Sequence, residues 1–427
     1  MNKLKLNTLA VALGLSFSGI AQAAPSSEVT QLRNEVSQLR AMIEQMQTEQ
    51  KKQAIVYDVQ ATKVVAPVVK VDATPRKGLG FTAGGAEFNI YGNVRADAGY
   101  QFEGGTGSLP YNQIANVPLT GNEGKDRLRT TLSATRLGLD FKTATQKGDV
   151  AGKIEVDFLG SNDALRIRHA YLTYDDWLIG QTWSNFAVPD YMPETIDALG
   201  YVGQSVKRTP QVRYTRKFNP TTSLVMALED PKDNQADMKM RLPALTARLN
   251  HKFADNFAVS ARAMAHDKKT AEDNKMAWGV GLGAKYDITP NTTLKADYYH
   301  VDGDSSFVSS SNQGFATDST KNIMETNAFD SINIGVTQKF NTQWRGTLGF
   351  GYMKADNNKD YLGYIADKTK VNKDLWQGWG NVFYSPVQPL SFGLEYVYGE
   401  RQTFSTATED SKTGKDSRLN AVAIYSF

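Results

Sequence analysis

Residues 88–100 read FNIYGNVRADAGY, and polar and apolar side chains alternate along most of this stretch. Its apolar members include Phe88, Ile90, Val94, Ala96 and Ala98, and the polar members between them are Asn89, Asn93, Arg95 and Asp97. Successive side chains of a β-strand point to opposite faces of the sheet. The segment therefore predicts a strand with one apolar face and one charged face.

The same alternation recurs along the rest of the chain. It is found at 88–100, 136–142, 152–158, 164–174, 177–183, 211–218, 221–229, 244–253, 256–266, 277–286, 292–300, 329–340, 343–353, 375–384, 390–401 and 417–427. This gives about sixteen segments of roughly ten residues, which is the length of a transmembrane β-strand. The last segment ends at Phe427, and this aromatic end resembles the C-terminal assembly signal of outer-membrane proteins.

Short and long connections alternate between the segments. The short turns lie at 145–149, 175–176, 219–220, 254–256, 289–292, 341–343 and 386–389. The long connections lie at 101–133, 184–209, 230–243, 267–276, 301–327, 354–373 and 402–416, whereas the one at 160–163 is short. Outer-membrane barrels have short turns at the periplasmic end and longer loops outside.

A soluble β-sandwich is the alternative. It would need apolar faces that meet across two sheets, with the charged faces in water. In a membrane barrel the apolar face meets lipid and the charged face meets a wet lumen, so both faces are satisfied by one closed sheet.

Composition excludes other classes. The 427 residues carry a formal net charge of +3 and no cysteine. A nucleic-acid partner would require a concentrated basic stripe, and disulfide frameworks or thiol metal sites would require cysteine.

The N-terminus has three parts. Residues 1–23 combine Lys3, Lys5, an apolar stretch and an Ala-Gln-Ala cleavage site, which predicts a signal peptide. Residues 24–50 carry a heptad seam at Val29, Leu32, Val36, Leu39, Ile43 and Met46. These six residues predict a periplasmic coiled coil that joins chains, although two or three chains would fit; the alternative is an amphipathic helix lying on its own domain. Residues 51–87 are predicted to be an extended linker.

The predicted fold class is therefore all-β: a transmembrane antiparallel β-barrel of about sixteen strands over 88–427, preceded by a short N-terminal coiled-coil helix. A barrel of this size leaves an aqueous channel.

The charged face of each strand predicts which residues line this channel. The candidate pore and solute-binding residues are Arg95, Arg136, Lys153, Arg166, Arg168, Arg213, Arg248, Arg262, Lys295 and Arg345. Basic residues outnumber acidic ones on this face, and rings of Arg and Lys favour anions. The alternative is that the charges neutralise one another across neighbouring strands. Arg166 and Arg168 have no carboxylate on their own strand face, which favours a pore role for both.

No chemistry of catalysis is predicted. The strand pattern places His169, His251 and His300 on the apolar face, without metal-ligand spacing or a nucleophile motif. We therefore predict no catalytic residue, no metal and no cofactor.

Four segments carry a resemblance to a known family. They are VTQLRNEVSQLRAMIEQM at 29–46, FNIYGNVRADAGY at 88–100, LRIRHAYLTYDDWLIGQTWSNF at 165–186 and INIGVTQKF at 332–340. With the signal peptide, the chain resembles the DcaP-like outer-membrane porins over essentially its whole length. The resemblance implies a homotrimer with a periplasmic coiled coil, and uptake of dicarboxylates and similar small organic anions.

The connection 184–209 is long and unusually apolar, which predicts that it packs inside the protein. By resemblance to trimeric porins, this loop folds into the barrel and narrows it. Asp190, Glu194 and Asp197 would then face the strand arginines, with Lys207 and Arg208 at the loop exit. The alternative is that these side chains tie the loop to the wall.

The predicted function is a passive anion-preferring porin in the outer membrane of a Gram-negative bacterium, surrounded by lipid and lipopolysaccharide. Peptidoglycan is a further candidate partner, through the coiled coil. A general or cation-preferring porin is one alternative, and a structural or adhesive trimer with a plugged barrel is another.

Overall fold

The computed structural model describes residues 79–427, apart from 106, 120–123, 205–206, 234, 236 and 406–409. The predicted signal peptide, the heptad segment and linker residues 51–78 lie outside the described residues. Within the described part, no helix is both long and apolar enough to cross a membrane.

The structure is built from strands. In chain order they are β1 (Leu79–Ala83), β2 (Ala86–Glu103), β3 (Arg127–Thr131), β4 (Arg136–Thr145), β5 (Gly148–Asp157), β6 (Arg166–Tyr174), β7 (Trp177–Trp183), β8 (Arg208–Lys217), β9 (Thr222–Glu229), β10 (Ala244–Ala254), β11 (Phe257–Lys269), β12 (Asn274–Thr289), β13 (Thr292–Asp302), β14 (Phe315–Thr317), β15 (Ile323–Thr326), β16 (Ala328–Lys339), β17 (Trp344–Ala355), β18 (Asn372–Val387), β19 (Leu390–Thr403) and β20 (Thr413–Ser426). One short helix, α1, spans Lys359–Tyr364, and 3₁₀ turns lie at Ile114–Asn116, Ser161–Asp163, Pro189–Tyr191 and Lys368–Lys370.

Sixteen of these strands form one closed antiparallel barrel: β2, β4 to β13 and β16 to β20. The barrel closes where β20 pairs with β2. There, Gly92 and Phe427 exchange two backbone hydrogen bonds of 3.0 Å. The predicted fold class of a sixteen-strand antiparallel barrel is confirmed. The predicted helix before it lies outside the described residues.

Two features near the first strand were not predicted. Residues 79–87, which the sequence pattern assigned to the linker, form β1 and the start of β2, and β1 pairs with β2. Further along, β2 changes partner from β4 to β3 after Asn93. Thr135 bridges this break, because its hydroxyl accepts a hydrogen bond of 3.0 Å from the backbone N–H of Arg95.

The two faces of the barrel differ as the alternation predicts. Large apolar side chains such as Leu348 and Leu282 are exposed on the outer face. Polar side chains such as Asn333 and Asp157 are buried toward the inside. An apolar exterior and a polar interior are typical of a barrel in lipid.

The long connections pack together at one end of the barrel. Ile114, Phe307, Tyr361 and Phe404 come from four different connections, yet all belong to one buried apolar cluster. These connections therefore form a packed layer instead of separate loops.

Candidate functional site

The connection between β7 and β8, called here the inner loop (184–207), lies against the inside of the barrel wall. At its start, the backbone N–H of Asn185 donates to the carboxylate of Glu229 over 2.8 Å. The hydroxyls of Thr209 and Thr246 donate to the same carboxylate. This buried carboxylate therefore fixes the point where the loop leaves the wall.

The inner loop then crosses the wall in strand order. Its successive contacts are Asp190 with Arg248 on β10 (3.3 Å), Met192 O with Lys295 Nζ on β13 (3.1 Å), Glu194 with Arg345 on β17 (2.8 Å) and Asp197 with Arg418 on β20 (2.7 Å). The guanidinium of Arg95 on β2 also donates to the carbonyl of Ile196. The loop thus reaches from β9 to the strand where the barrel closes.

Glu395 on β19 holds the tip of the inner loop. Its carboxylate accepts hydrogen bonds from the hydroxyl of Thr195 (3.1 Å), the backbone N–H of Ile196 (3.0 Å) and the hydroxyl of Tyr201 (2.5 Å). Strand alternation places Glu395 on the lumen face, but nothing local in the sequence indicates that it binds the loop.

The loop returns along the same wall. The backbone N–H of Val202 donates to Gln377 over 3.1 Å, and the carbonyl of Gly203 accepts from Asn333 over 2.7 Å. These amides on β16 and β18 complete the attachment.

Burial sets the electrostatics of the loop. It raises the pKa of Asp197 to about 6, although the guanidinium of Arg418 opposes the shift. It also raises the pKa of Tyr201 well above its usual value and lowers the pKa of Lys207.

All three loop carboxylates named from the sequence are in ion pairs with wall arginines. Asp197 is fully buried, and Glu194 is partly exposed. Asp190 remains largely exposed, with 61% of its side chain open to solvent. The carboxylates therefore attach the loop to the wall, which is the alternative that the sequence left open.

The wall from β4 to β8 faces the lumen without contacts of this kind to the inner loop. Lys153 lies 3.1 Å from Asp140, and Lys142 lies 2.5 Å from Asp149. Asp157 binds the guanidinium of Arg166 at 2.6 Å. These pairs neutralise part of the wall.

Arg168 is the most enclosed cation of this wall. Its guanidinium binds Glu155 at 2.6 Å and Asp157 at 3.0 Å, and the residue is 4% exposed. The carboxylates lie on β5, the neighbouring strand, so an inspection of β6 alone cannot reveal them. Arg168 is thus a buried part of the wall, whereas the side chain of Arg166 stays 33% exposed.

Three arginines on this wall make no ion pair with any residue that the structure describes: Arg136 on β4, and Arg208 and Arg213 on β8. Arg208 stacks on the ring of Trp183 at 4.6 Å. Arg213 donates to the side-chain carbonyl of Gln211 over 2.9 Å. These groups leave most of the positive charge of the three guanidiniums uncompensated.

One residue of β6 faces the opposite way from the prediction. The register between β5 and β6 shifts next to Glu155, so that Glu155 lies opposite His169. The shift inserts one residue at Arg168, and a β-bulge of this kind reverses the side to which later residues point. His169 is consequently buried on the inner face, where it bonds to Thr182 over 3.0 Å. The prediction that His169 lies on the apolar face is wrong.

The remaining predicted pore cations are paired. Arg95 binds Asp97 at 2.6 Å. Arg262 binds Asp297 and also donates to the hydroxyl of Tyr299 over 2.6 Å, with its side chain fully buried. Arg262 therefore supports the wall and is not open to the lumen.

One group of potential metal ligands occurs among the described residues: Asp233, His266 and Asp304. The ammonium of Lys268 lies between the two carboxylates, 2.5 Å from Asp304 and in contact with Asp233. Because this cation already neutralises them, the group is suited to joining two connections to β11.

A closed sixteen-strand barrel with an apolar exterior and a charged lumen crossed by an inward loop defines an outer-membrane channel. The DcaP outer membrane protein family matches residues 22–427 of the chain. The chain therefore belongs to this family, whose members are channels and not enzymes.

Solved structures agree with this assignment. The outer membrane channel DcaP of Acinetobacter baumannii is 39% identical, with a TM-score of 0.74, over 82% of this chain and 99% of that chain. OmpT of Vibrio cholerae is 14% identical, with a TM-score of 0.54, over 82% and 100%. An anion-selective porin from Comamonas acidovorans is 9% identical, with a TM-score of 0.53, over 80% and 100%, and shares the fold alone. No curated protein matches the chain.

Proposed function

We propose that this channel carries small organic anions, dicarboxylates among them, passively across the outer membrane. One observation carries the proposal. The inner-loop carboxylates are used in ion pairs with one side of the wall, whereas Arg136, Arg208 and Arg213 on the other side have no carboxylate partner among the described residues. The lumen therefore presents uncompensated positive charge opposite the loop.

The selectivity follows from electrostatics. A small anion entering the lumen exchanges part of its water for guanidinium contacts, and Arg can bind a carboxylate with two parallel hydrogen bonds. A cation meets repulsion at the same place. The solute's own concentration gradient drives its passage. It leaves because each contact with a solvent-exposed arginine is weak.

A general or cation-preferring porin is the second candidate. The largely exposed carboxylate of Asp190 favours it, because this group adds negative charge beside the lumen. Arg248 at 3.3 Å and the uncompensated arginines of the opposite wall weigh against it.

The assembly belongs to the same proposal. After removal of residues 1–23, the heptad residues from Val29 to Met46 join three chains in the periplasm. The barrels lie in lipid and lipopolysaccharide, and the coiled coil is positioned to meet peptidoglycan. A plugged structural trimer would use the same coiled coil without conducting ions.

Reversal potentials of single channels in asymmetric potassium chloride test the proposal. We expect an anion preference in the wild type that falls toward equal permeability in Arg136→Ala, Arg208→Ala and Arg213→Ala combined. Arg216→Ala is the matched control, because Arg216 lies on the same strand as Arg213 but on the outer face. A cation-preferring or non-conducting wild type would reject the proposal.

A further inference from the structure

The barrel places basic residues directly opposite one another at two positions of neighbouring strands. Lys285 on β12 pairs in register with Lys295 on β13, and Lys339 on β16 pairs with Arg345 on β17. Like charges directly opposite each other destabilise a sheet by roughly 0.2–1 kcal/mol for each pair. Local rules of this kind are broken mainly at functional sites.

A further lysine extends the first pair along one row of the sheet. Lys252 on β10 lies opposite Ala258 on β11, and Ala258 lies opposite Lys285. Three lysines thus occupy one row across four neighbouring strands. All of them, and Lys339, lie within a few residues of the short turns, which mark the periplasmic end.

Few negative groups answer these charges. Asp287 lies 3.4 Å from Lys285, and Glu194 of the inner loop is bound to Arg345. Lys295 donates to the carbonyl of Met192 over 3.1 Å, so it lies directly against the inner loop. Within the described part of the chain, Lys252, Lys295 and Lys339 make no ion pair.

We infer that Lys252, Lys285, Lys295 and Lys339 form a second anion-binding site, on the periplasmic side of the inner loop and apart from the arginine wall. Its ligand class is a small oxyanion with more than one negative charge. This inference rests on the proposed anion transport and adds a second position at which the solute is held. We call these residues the lysine site.

The chemistry of lysine fits a position close to the exit. An ammonium group is compact, strongly hydrated and carried on a flexible stem, whereas guanidinium binds carboxylates in a rigid two-bond geometry. Lysines therefore attract a multivalent anion without fixing it. An anion approaching from the periplasm meets the lysine site first, and one approaching from outside meets the arginine wall first. The two sides of the channel consequently differ in their affinity for anions.

Block of single-channel chloride current tests the inference, with sulfate or succinate added to one compartment at a time. We expect the wild type to show different half-blocking concentrations from the two sides. In Lys252→Gln, Lys295→Gln and Lys339→Gln combined, block from one side should need about tenfold more anion, equivalent to a loss of about 1.4 kcal/mol. Block from the other side should change little.

Lys359→Gln, Lys368→Gln and Lys370→Gln combined form the matched control, because they remove three lysines from the connection that follows β17 at the long-loop end. An equal effect of the two triple variants, or an unchanged side difference in the first, overturns the lysine site while leaving an anion-preferring wild type intact. A cation-preferring wild type would instead overturn the proposed function.

A measurement on the wild type does not depend on the variants. Crystals soaked in selenate should show an anomalous selenium peak beside Lys285 and Lys295. A peak confined to the arginine wall, or none at all, counts against the lysine site.

Discussion

Arg168 illustrates how this wall manages charge. Its guanidinium is shared by Glu155 and Asp157, and both carboxylates lie on the preceding strand. Arg166, two positions earlier, shares Asp157 but keeps a third of its side chain exposed. The first arginine therefore serves the wall, whereas the second remains accessible to a solute.

Replacing the buried arginine should destabilise the barrel. In Arg168→Met, Glu155 and Asp157 lose a buried partner, and removing one member of a buried ion pair typically costs about 3–5 kcal/mol. Arg166→Met should cost less than about 1 kcal/mol, because this arginine is partly exposed and Asp157 keeps Arg168. Denaturant unfolding of both variants in lipid vesicles measures the difference. Equal losses in the two variants would contradict the ion-pair arrangement described here.

The inner loop depends on close approach to the strands that it crosses. Gly203 has φ +80°, a left-handed conformation that favours glycine. On β17, a Cβ added to Gly351 would overlap the carbonyl oxygen of Val202. The returning part of the loop thus lies against bare backbone, and small residues on both sides permit this packing.

Adding a methyl group at that contact should displace the loop and leave the barrel intact. In Gly351→Ala, we expect a changed single-channel conductance with unaltered strand content by circular dichroism. Gly378→Ala on the adjacent strand is the control, because its Cβ would meet no atom closer than 3.9 Å. If Gly351→Ala conducts as the wild type does, the returning part of the loop does not limit the current.

Across the barrel, charge is divided between two sides of the lumen. One side binds the inner loop through paired groups, and the other carries the unpaired arginines. The connections at the long-loop end pack into one apolar layer. Conduction by a single barrel does not require contact with another copy, so assembly and transport should respond to different substitutions.

The heptad segment provides a test of this separation. In Leu32→Ser and Leu39→Ser combined, the trimer should dissociate at a lower temperature, because each buried leucine contributes about 2 kcal/mol. The conductance and selectivity of each barrel should stay unchanged. Gln31→Ser and Gln38→Ser, at positions outside the seam, form the control. Heat-induced dissociation followed by gel electrophoresis measures the effect, and equal stability of both variants would remove the seam from the assembly.

Alternation along each strand was sufficient to predict all sixteen barrel strands, the apolar exterior and the polar lumen. It depends on neighbours in the sequence, because successive residues of a strand face opposite sides. The inward packing of residues 184–209 was also predictable, from their length and apolar content. The coiled coil stays a prediction.

The partners of the lumen charges depended on the tertiary structure. Arg168 looks free on its own strand, yet its carboxylates lie across the sheet, and the bulge beside it turns His169 inward. The path of the inner loop likewise depends on Glu395 and Arg418, about two hundred residues away in the sequence. Register between strands and loop packing arise from contacts between distant parts of the chain, so a local pattern carries no information about them.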